Sequence, residues 1–322
     1  MFDLARVVDS CCNSVTTGQQ HGGEPSLSVN RDASDQRTAA IPNPDRSVPG
    51  SVPDDPVPGT ADPDDGATVW LLRSRGCWQA AAALLEPAAA HSAEAALERA
   101  ELLIERSLFE NQGWGEAESA LRLAEAGARV DATRAAAACA RGYLAYCATL
   151  LQVHDRLDEA QMALGRASAM LPPDAPGRPL LDFRRGLVAE NLLKDPAAAR
   201  TAYRRAHAGA EQQRNDLLLS YTWRHLASIA QQDGNLAGAR HGFAESLRLR
   251  ELVGFAIGIA PALAALAEVS PSPEAVLLRA QAARLVRTFG DVPVWLAEDR
   301  DPDGLRPDQR ADQRDGQAPG RA

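Results

Sequence analysis

The sequence is poor in aromatic and β-branched residues, and its basic residues are almost all arginine. Aromatic side chains make up 5% of the 322 residues, and Lys194 is the sole lysine. Hydrophobic residues nevertheless amount to 45%, and most of them are alanine and leucine, which favour helices over strands. Because this apolar content suffices to bury a core, a chain that is disordered throughout is excluded.

The sequence also lacks any cluster of basic residues. Its net charge is −9, and residues 1–66 carry −7 of that total through four arginines and eleven acidic residues. The rest of the chain is nearly neutral. A nearly neutral domain without a basic stripe is a poor candidate for binding duplex DNA or anionic membranes, so we expect neither nucleic acid nor membrane among its partners.

Long apolar runs and paired metal ligands are missing as well. The longest apolar stretch, residues 253–267, is shorter than a membrane span and contains Pro261. The five cysteines form no C-x-x-C pair, and no histidine lies in an H-E-x-x-H motif. We therefore expect a soluble cytoplasmic protein with free thiols and without metal, cofactor or disulfide. Cys139 and Cys147 are expected to be buried as small apolar side chains.

No catalytic motif is recognisable. The sequence contains no G-x-S-x-G, G-x-G-x-x-G or P-loop pattern. Carboxylates such as Glu101 and Glu105 are spaced as on a helix face and are expected at ordinary solvated positions. These observations predict that the protein is not an enzyme.

Composition divides the chain into three parts. Residues 1–66 form an acidic segment rich in proline and aspartate, which is predicted to be disordered because it cannot bury enough surface to offset its ordering entropy. Residues 67–297 are patterned as helices throughout. Residues 298–322 are polar again and are predicted to be a disordered tail.

The middle part contains an internal repeat. An alanine recurs at separations of 36, 43, 39 and 40 residues, at positions 81, 117, 160, 199 and 239. A large side chain follows each alanine four residues later, as in Leu164 and Tyr203. A period of this length indicates stacked helical hairpins, with the alanines where helix axes approach most closely. Gly234 is expected to end the first helix of its pair, and Asp195 to cap a second helix.

The unit around residues 220–250 resembles the tetratricopeptide repeat. Its pattern is carried by Trp223, Leu226, Ala227, Ala230, Gly234, Ala239 and Phe243. The resemblance extends loosely over residues 67–290, and the final part is similar to the repeat region at the end of actinobacterial regulators of the LuxR and SARP kinds. It implies an all-α, right-handed helical solenoid of five to six hairpin repeats in a bacterial cytoplasmic protein.

The resemblance also implies a concave groove lined by the first helix of each repeat. Carried over residue by residue, its partner-binding positions are Arg106, Tyr146, Arg184, Asn191, Tyr221, Arg224, His225 and Gln231. Arginines mixed with aromatic and amide side chains suit an extended peptide, with the guanidinium groups binding carboxylates.

Together these features predict a protein–protein interaction module, a regulatory adaptor or scaffold that binds an acidic or carboxylate-bearing partner segment in the groove. An alternative is a regulator that senses a small ligand or a peptide in the same groove. An enzyme built on helical hairpins is a third hypothesis, which no motif supports.

Overall fold

The computed structural model describes residues 63–289, and every regular element in that range is helical. The described range contains 12 helices, and a short π-helical turn, Val188–Leu192, continues the seventh. Their bounds are α1 (Pro63–Ser74), α2 (Trp78–Ala89), α3 (Ala93–Glu110), α4 (Trp114–Gly127), α5 (Asp131–Leu150), α6 (Leu157–Met170), α7 (Arg178–Leu187), α8 (Pro196–Gln213), α9 (Asp216–Gln232), α10 (Leu236–Leu252), α11 (Ala256–Glu268) and α12 (Ser272–Val286).

Helix α1 begins at Pro63, so the boundary predicted between residues 66 and 67 falls inside a helix. Proline is common at the first helical position, since its fixed φ suits a helix start. The rest of the predicted arm, residues 290–297 and the predicted tail lie outside the described residues.

Consecutive helices pack as hairpins. The pairs are α1/α2, α3/α4, α5/α6, α7/α8, α9/α10 and α11/α12. The all-α prediction is confirmed, and the pairing agrees with helical-hairpin repeats. Among the helices within residues 63–289, none combines the length and the hydrophobicity that a membrane-spanning segment needs.

The repeated alanines lie at the predicted packing positions. All five have no exposed surface: Ala81, Ala117, Ala160, Ala199 and Ala239. Each lies on the second helix of a hairpin, and four of the five large residues that follow them, such as Leu164 and Tyr203, are buried as well, while Leu85 is half-buried. The small side chain lets the helix axes approach, while the large one fills the space beside the crossing.

Two predicted helix ends are confirmed. Gly234 has a φ of +78° directly after α9, a conformation that glycine adopts without a steric penalty. Asp195 precedes α8, and its carboxylate accepts a hydrogen bond of 2.9 Å from the backbone N–H of Ala198.

The first helices of the hairpins, called here the first-helix layer, also contact one another. Helix α3 packs against α5, α5 packs against α7, and α1 reaches α11. One apolar core joins this layer to the second helices and extends from Val69 to Val286. Side chains far apart in sequence therefore meet in this layer.

Leucine at a packing alanine should disturb a helix crossing. We expect Ala239→Leu and Ala160→Leu each to lower the free energy of unfolding by about 1–2 kcal/mol, because extra methylenes do not fit a filled core. Ala237→Leu, on the exposed face of α10, should change it by less than about 0.5 kcal/mol. Urea denaturation measures all three, and equal midpoints would contradict the assigned register.

Candidate functional site

Most of the side chains predicted to line a groove lie in the interior. Five of the eight are at most 6% exposed: Tyr146, Arg184, Asn191, Arg224 and His225. The other three are half-buried: Arg106, Tyr221 and Gln231. The structure thus places these residues in the first-helix layer, as the repeat pattern implies, but packed against other parts of the chain.

Arg184 illustrates this packing. Its guanidinium donates to the carboxylate of Glu101 on α3, with Nη1 2.9 Å from Oε1, across 83 residues of sequence. It lies 4.4 Å from the centre of the Tyr143 ring and 3.5 Å from the Cys139 sulfur. Burial opposes its charge, but Glu101, together with Cys139 and Tyr143, holds the pKa of Arg184 well above its ordinary value. Arg184 is therefore fixed as a buried, paired cation.

Glu101 and Glu105 are not the solvated carboxylates that their spacing suggested, and that expectation was wrong. Their side chains are 23% and 15% exposed, and each is paired with an arginine, Arg184 for Glu101 and Arg73 for Glu105. The i,i+4 spacing places both on one face of α3, and that face is turned towards α1 and α7. The spacing of Glu101 and Glu105 predicts that they share one face of α3, but it does not predict which helices pack against that face.

The π-helical turn after α7 carries a second polar cluster. Glu190, in that turn, accepts hydrogen bonds from the Tyr203 hydroxyl at 2.6 Å and from His225 Nδ1 at 2.8 Å. The rings of Tyr203 and His225 stack with centres 4.8 Å apart. Because the three residues come from the π turn, α8 and α9, the cluster fixes the fourth hairpin against the fifth. π-helical turns are frequent at functional sites.

The charge state of Glu190 follows from its surroundings. Burial raises the pKa of this carboxyl, but His225, the Tyr203 hydroxyl and nearby Arg224 together bring the pKa below its ordinary value. Glu190 is therefore a carboxylate at neutral pH, and its oxygens act as hydrogen-bond acceptors. The sequence pattern predicted His225 and Arg224 as site residues, but it did not predict Glu190 or Tyr203. Their positions within the repeat are the only feature of the sequence that could have indicated them.

Asn191 adds a polar contact on the next residue of the π turn. Its amide nitrogen donates to the Tyr146 hydroxyl at 2.9 Å, so the structure brings these two predicted residues together. The amide oxygen of Asn191 is buried without a hydrogen-bond partner among the described residues. Such an orphaned acceptor costs free energy unless a ligand or water satisfies it.

The described cysteines fall into two groups. Cys139 and Cys147 are buried on α5, as predicted, whereas Cys77 is exposed, and none of these three described cysteines is in a disulfide. Burial raises the pKa of the Cys139 thiol in spite of the nearby Arg184. In residues 63–289 no three histidine, cysteine or acidic side chains converge as metal ligands would.

The outward side of α12 has a different character. Its exposed face carries Val276, Leu277, Ala280 and Arg284, and Arg287 follows directly after the helix; these five residues are called here the α12 face. Val276 and Leu277 are 61% and 70% exposed. Neither Arg284 nor Arg287 forms an ion pair within residues 63–289. The opposite side of α12 packs on the core through Ala275, Ala282 and Val286.

Comparison with known proteins gives no family for the chain. No protein-family model matches it, and no curated protein matches it significantly. The resemblance to tetratricopeptide repeats therefore rests on the residues quoted above and on the hairpin architecture.

Proposed function

We propose that this chain is a protein–protein interaction module, a regulatory adaptor or scaffold without catalytic activity, built as a right-handed, tetratricopeptide-like solenoid. The proposal is supported by the sequential hairpins and by the small residues at their crossings. Stacked hairpins present extended surfaces for partners. The cytoplasm suits a protein whose described cysteines form no disulfide.

The α12 face is the observation that carries the proposal. Exposed side chains at positions 276, 280, 284 and 287 follow helical spacing and form one stripe, and Leu277 lies beside it. Apolar groups flanked by arginines are typical of interface residues, since buried apolar contacts supply affinity and arginine pairs with carboxylates. An acidic segment with apolar residues on one side is the partner that this chemistry fits.

The predicted groove residues differ from the α12 face because some of them are already paired within the chain. Arg184 and His225 already bind Glu101 and Glu190 of the same chain, so a partner segment would have to replace those contacts. The alternative function, sensing of a small ligand or peptide, is favoured at this place by one observation. The buried amide oxygen of Asn191 has no partner in the described part of the chain, and a ligand donor would satisfy it.

Capture of partners with charge variants tests the proposed function. The full chain and two variants, Val276→Glu/Leu277→Glu and Leu123→Glu, are immobilised and exposed to lysate of the source organism. Leu123 is 50% exposed on α4 and serves as the control. We expect the double variant to lose saturable partners at least about tenfold, because hot spots dominate binding, while the control retains them.

Equal recovery with all three proteins would show that partners do not use the α12 face. Absence of any saturable partner for the wild-type chain would contradict the interaction function itself. Circular dichroism shows whether each variant is folded before capture.

A further inference from the structure

Helix α1 lies on a surface made by helices distant from it in sequence. The indole Nε1 of Trp70 donates to the Val253 carbonyl at 3.2 Å, across 183 residues. The Trp70 ring stacks on Phe255 with centres 6.1 Å apart. The first helix is thus attached to the α10–α11 junction as well as to α2.

A charged contact fixes the register of α1 on this surface. Nε of Arg73 donates to Oε2 of Glu105 on α3 at 2.9 Å, and Nη2 donates to the other oxygen of the same carboxylate. Arg73 also lies 5.8 Å from the centre of the Trp70 ring. An aromatic residue and an arginine three positions later therefore form one recognition unit on α1, since residues i and i+3 are neighbours on a helix.

The surface under α1 combines apolar and polar groups. Phe255 packs edge-on against Tyr221 with ring centres 6.0 Å apart. Burial raises the pKa of Tyr221 to about 12, and the nearby Glu105 carboxylate acts in the same direction. Glu105, Tyr221, Val253 and Phe255 belong to the surface that α1 covers, called here the α1 groove, which combines apolar groups with one carboxylate.

Helix α1 is covered by the rest of the protein on one side only. Val69 and Ser74 are buried, Trp70, Leu72 and Arg73 are half-buried, and Leu71 is 48% exposed. The helix has 12 residues, a length at which an isolated helix is marginal in water. A turn of three residues joins it to α2, with Gly76 at a φ of +78°. Such an element can detach while the other hairpins stay folded.

We propose that the α1 groove is a binding site for an amphipathic helix and that α1 occupies it as a displaceable ligand within the chain. The partner that fits is a helix with an aromatic residue and an arginine three positions later. The aromatic ring would take the place of Trp70 on Phe255, and the guanidinium would bind Glu105. This inference does not depend on the α12 face or on the function proposed above.

Hydrogen exchange of the full wild-type chain tests whether α1 detaches by itself. We expect the amides of residues 69–74 to exchange at least about tenfold faster than the buried amides of α9, because a local opening requires less free energy than global unfolding. Exchange of α1 as slow as that of α9 would overturn the proposal, since the groove would then open only when the domain unfolds.

A peptide of residues 63–76, labelled with a fluorophore, tests whether the vacated groove binds a helix. In the full chain, Arg73→Glu places two carboxylates together and should release α1. We expect this variant to bind the peptide at least about tenfold more tightly than wild type, whose groove is occupied. A peptide with the same substitution should not bind, and Arg73→Glu/Glu105→Arg should close the groove again.

Arg134→Glu provides the control chain, because Arg134 pairs with Asp131 on an exposed part of α5. It should bind the peptide no better than wild type. Equal peptide binding by wild type and a folded Arg73→Glu chain would overturn the proposal. If Arg73→Glu does not fold, the exchange measurement on wild type decides alone.

Discussion

Replacing Glu101 with leucine is expected to destabilise the protein by about 3–5 kcal/mol, because it leaves the buried guanidinium of Arg184 without its carboxylate. Arg184 has a side chain only 6% exposed. Loss of Glu101 removes both charge-assisted hydrogen bonds that the Arg184 guanidinium donates to it, and the Tyr143 ring and the Cys139 sulfur cannot replace them. A charge in such a place is costly unless it is paired.

Two companion variants make the result specific. Glu98 lies on the exposed side of the same helix, so Glu98→Leu should change the free energy of unfolding by less than about 0.5 kcal/mol. Glu101→Leu combined with Arg184→Leu should recover much of the loss, since apolar replacement of a whole buried pair is often nearly neutral. Urea denaturation measures the free energy of unfolding of each variant. Equal stability of Glu98→Leu and Glu101→Leu would show that the pair is not buried as described.

Alanine at Gly186 is the second substitution with a large expected effect. A Cβ at this position would lie 2.6 Å from Cδ1 of Tyr203, well inside van der Waals contact. Tyr203 has no exposed surface, and its hydroxyl is bonded to Glu190. The ring therefore has little room to move. We expect a loss of about 2–3 kcal/mol, as for overpacking of a core.

Gly165 offers the matched control, because it also lies inside a helix but a Cβ there would meet nothing within 4 Å. Gly165→Ala should stabilise the protein by about 0.5–1 kcal/mol through helix propensity. Thermal or urea unfolding measures the change in stability of both variants. The two changes should have opposite signs if the α7–α8 crossing is as close as described. A stabilising Gly186→Ala would contradict that crossing.

The repeat architecture could be predicted because it depends on local spacing. The alanines at 81, 117, 160, 199 and 239 mark where neighbouring helices cross, and neighbours in a hairpin are neighbours in sequence. Gly234 and Asp195 could be assigned because helix ends have local chemistry. Each of these features involves residues of a single repeat or of two adjacent ones.

The contacts within the first-helix layer could not be predicted in the same way. Arg184 meets Glu101 across two hairpins, and Trp70 meets Val253 almost at the other end of the described range. Spacing along one helix identifies the face on which a residue lies, but not the distant helix opposite that face. The tetratricopeptide pattern implies an open groove for these positions, whereas here Arg184 and His225 are paired with Glu101 and Glu190 of the same chain.

Thiol accessibility tests most directly the central claim that the first-helix layer is filled by its own side chains. The measurement uses the native chain with Cys11→Ser and Cys12→Ser, so that only the described cysteines react with an aromatic disulfide reagent. Cys77 is exposed, whereas Cys139 and Cys147 are buried in the layer. We predict one fast thiol, Cys77, with Cys139 and Cys147 reacting only as the protein opens. Burial keeps the reagent away from both thiols, and it also raises the pKa of Cys139, which makes that thiol a poor nucleophile. Reaction of Cys139 as fast as that of Cys77, with the helical content unchanged, would mean that the layer is an open groove and would contradict this account.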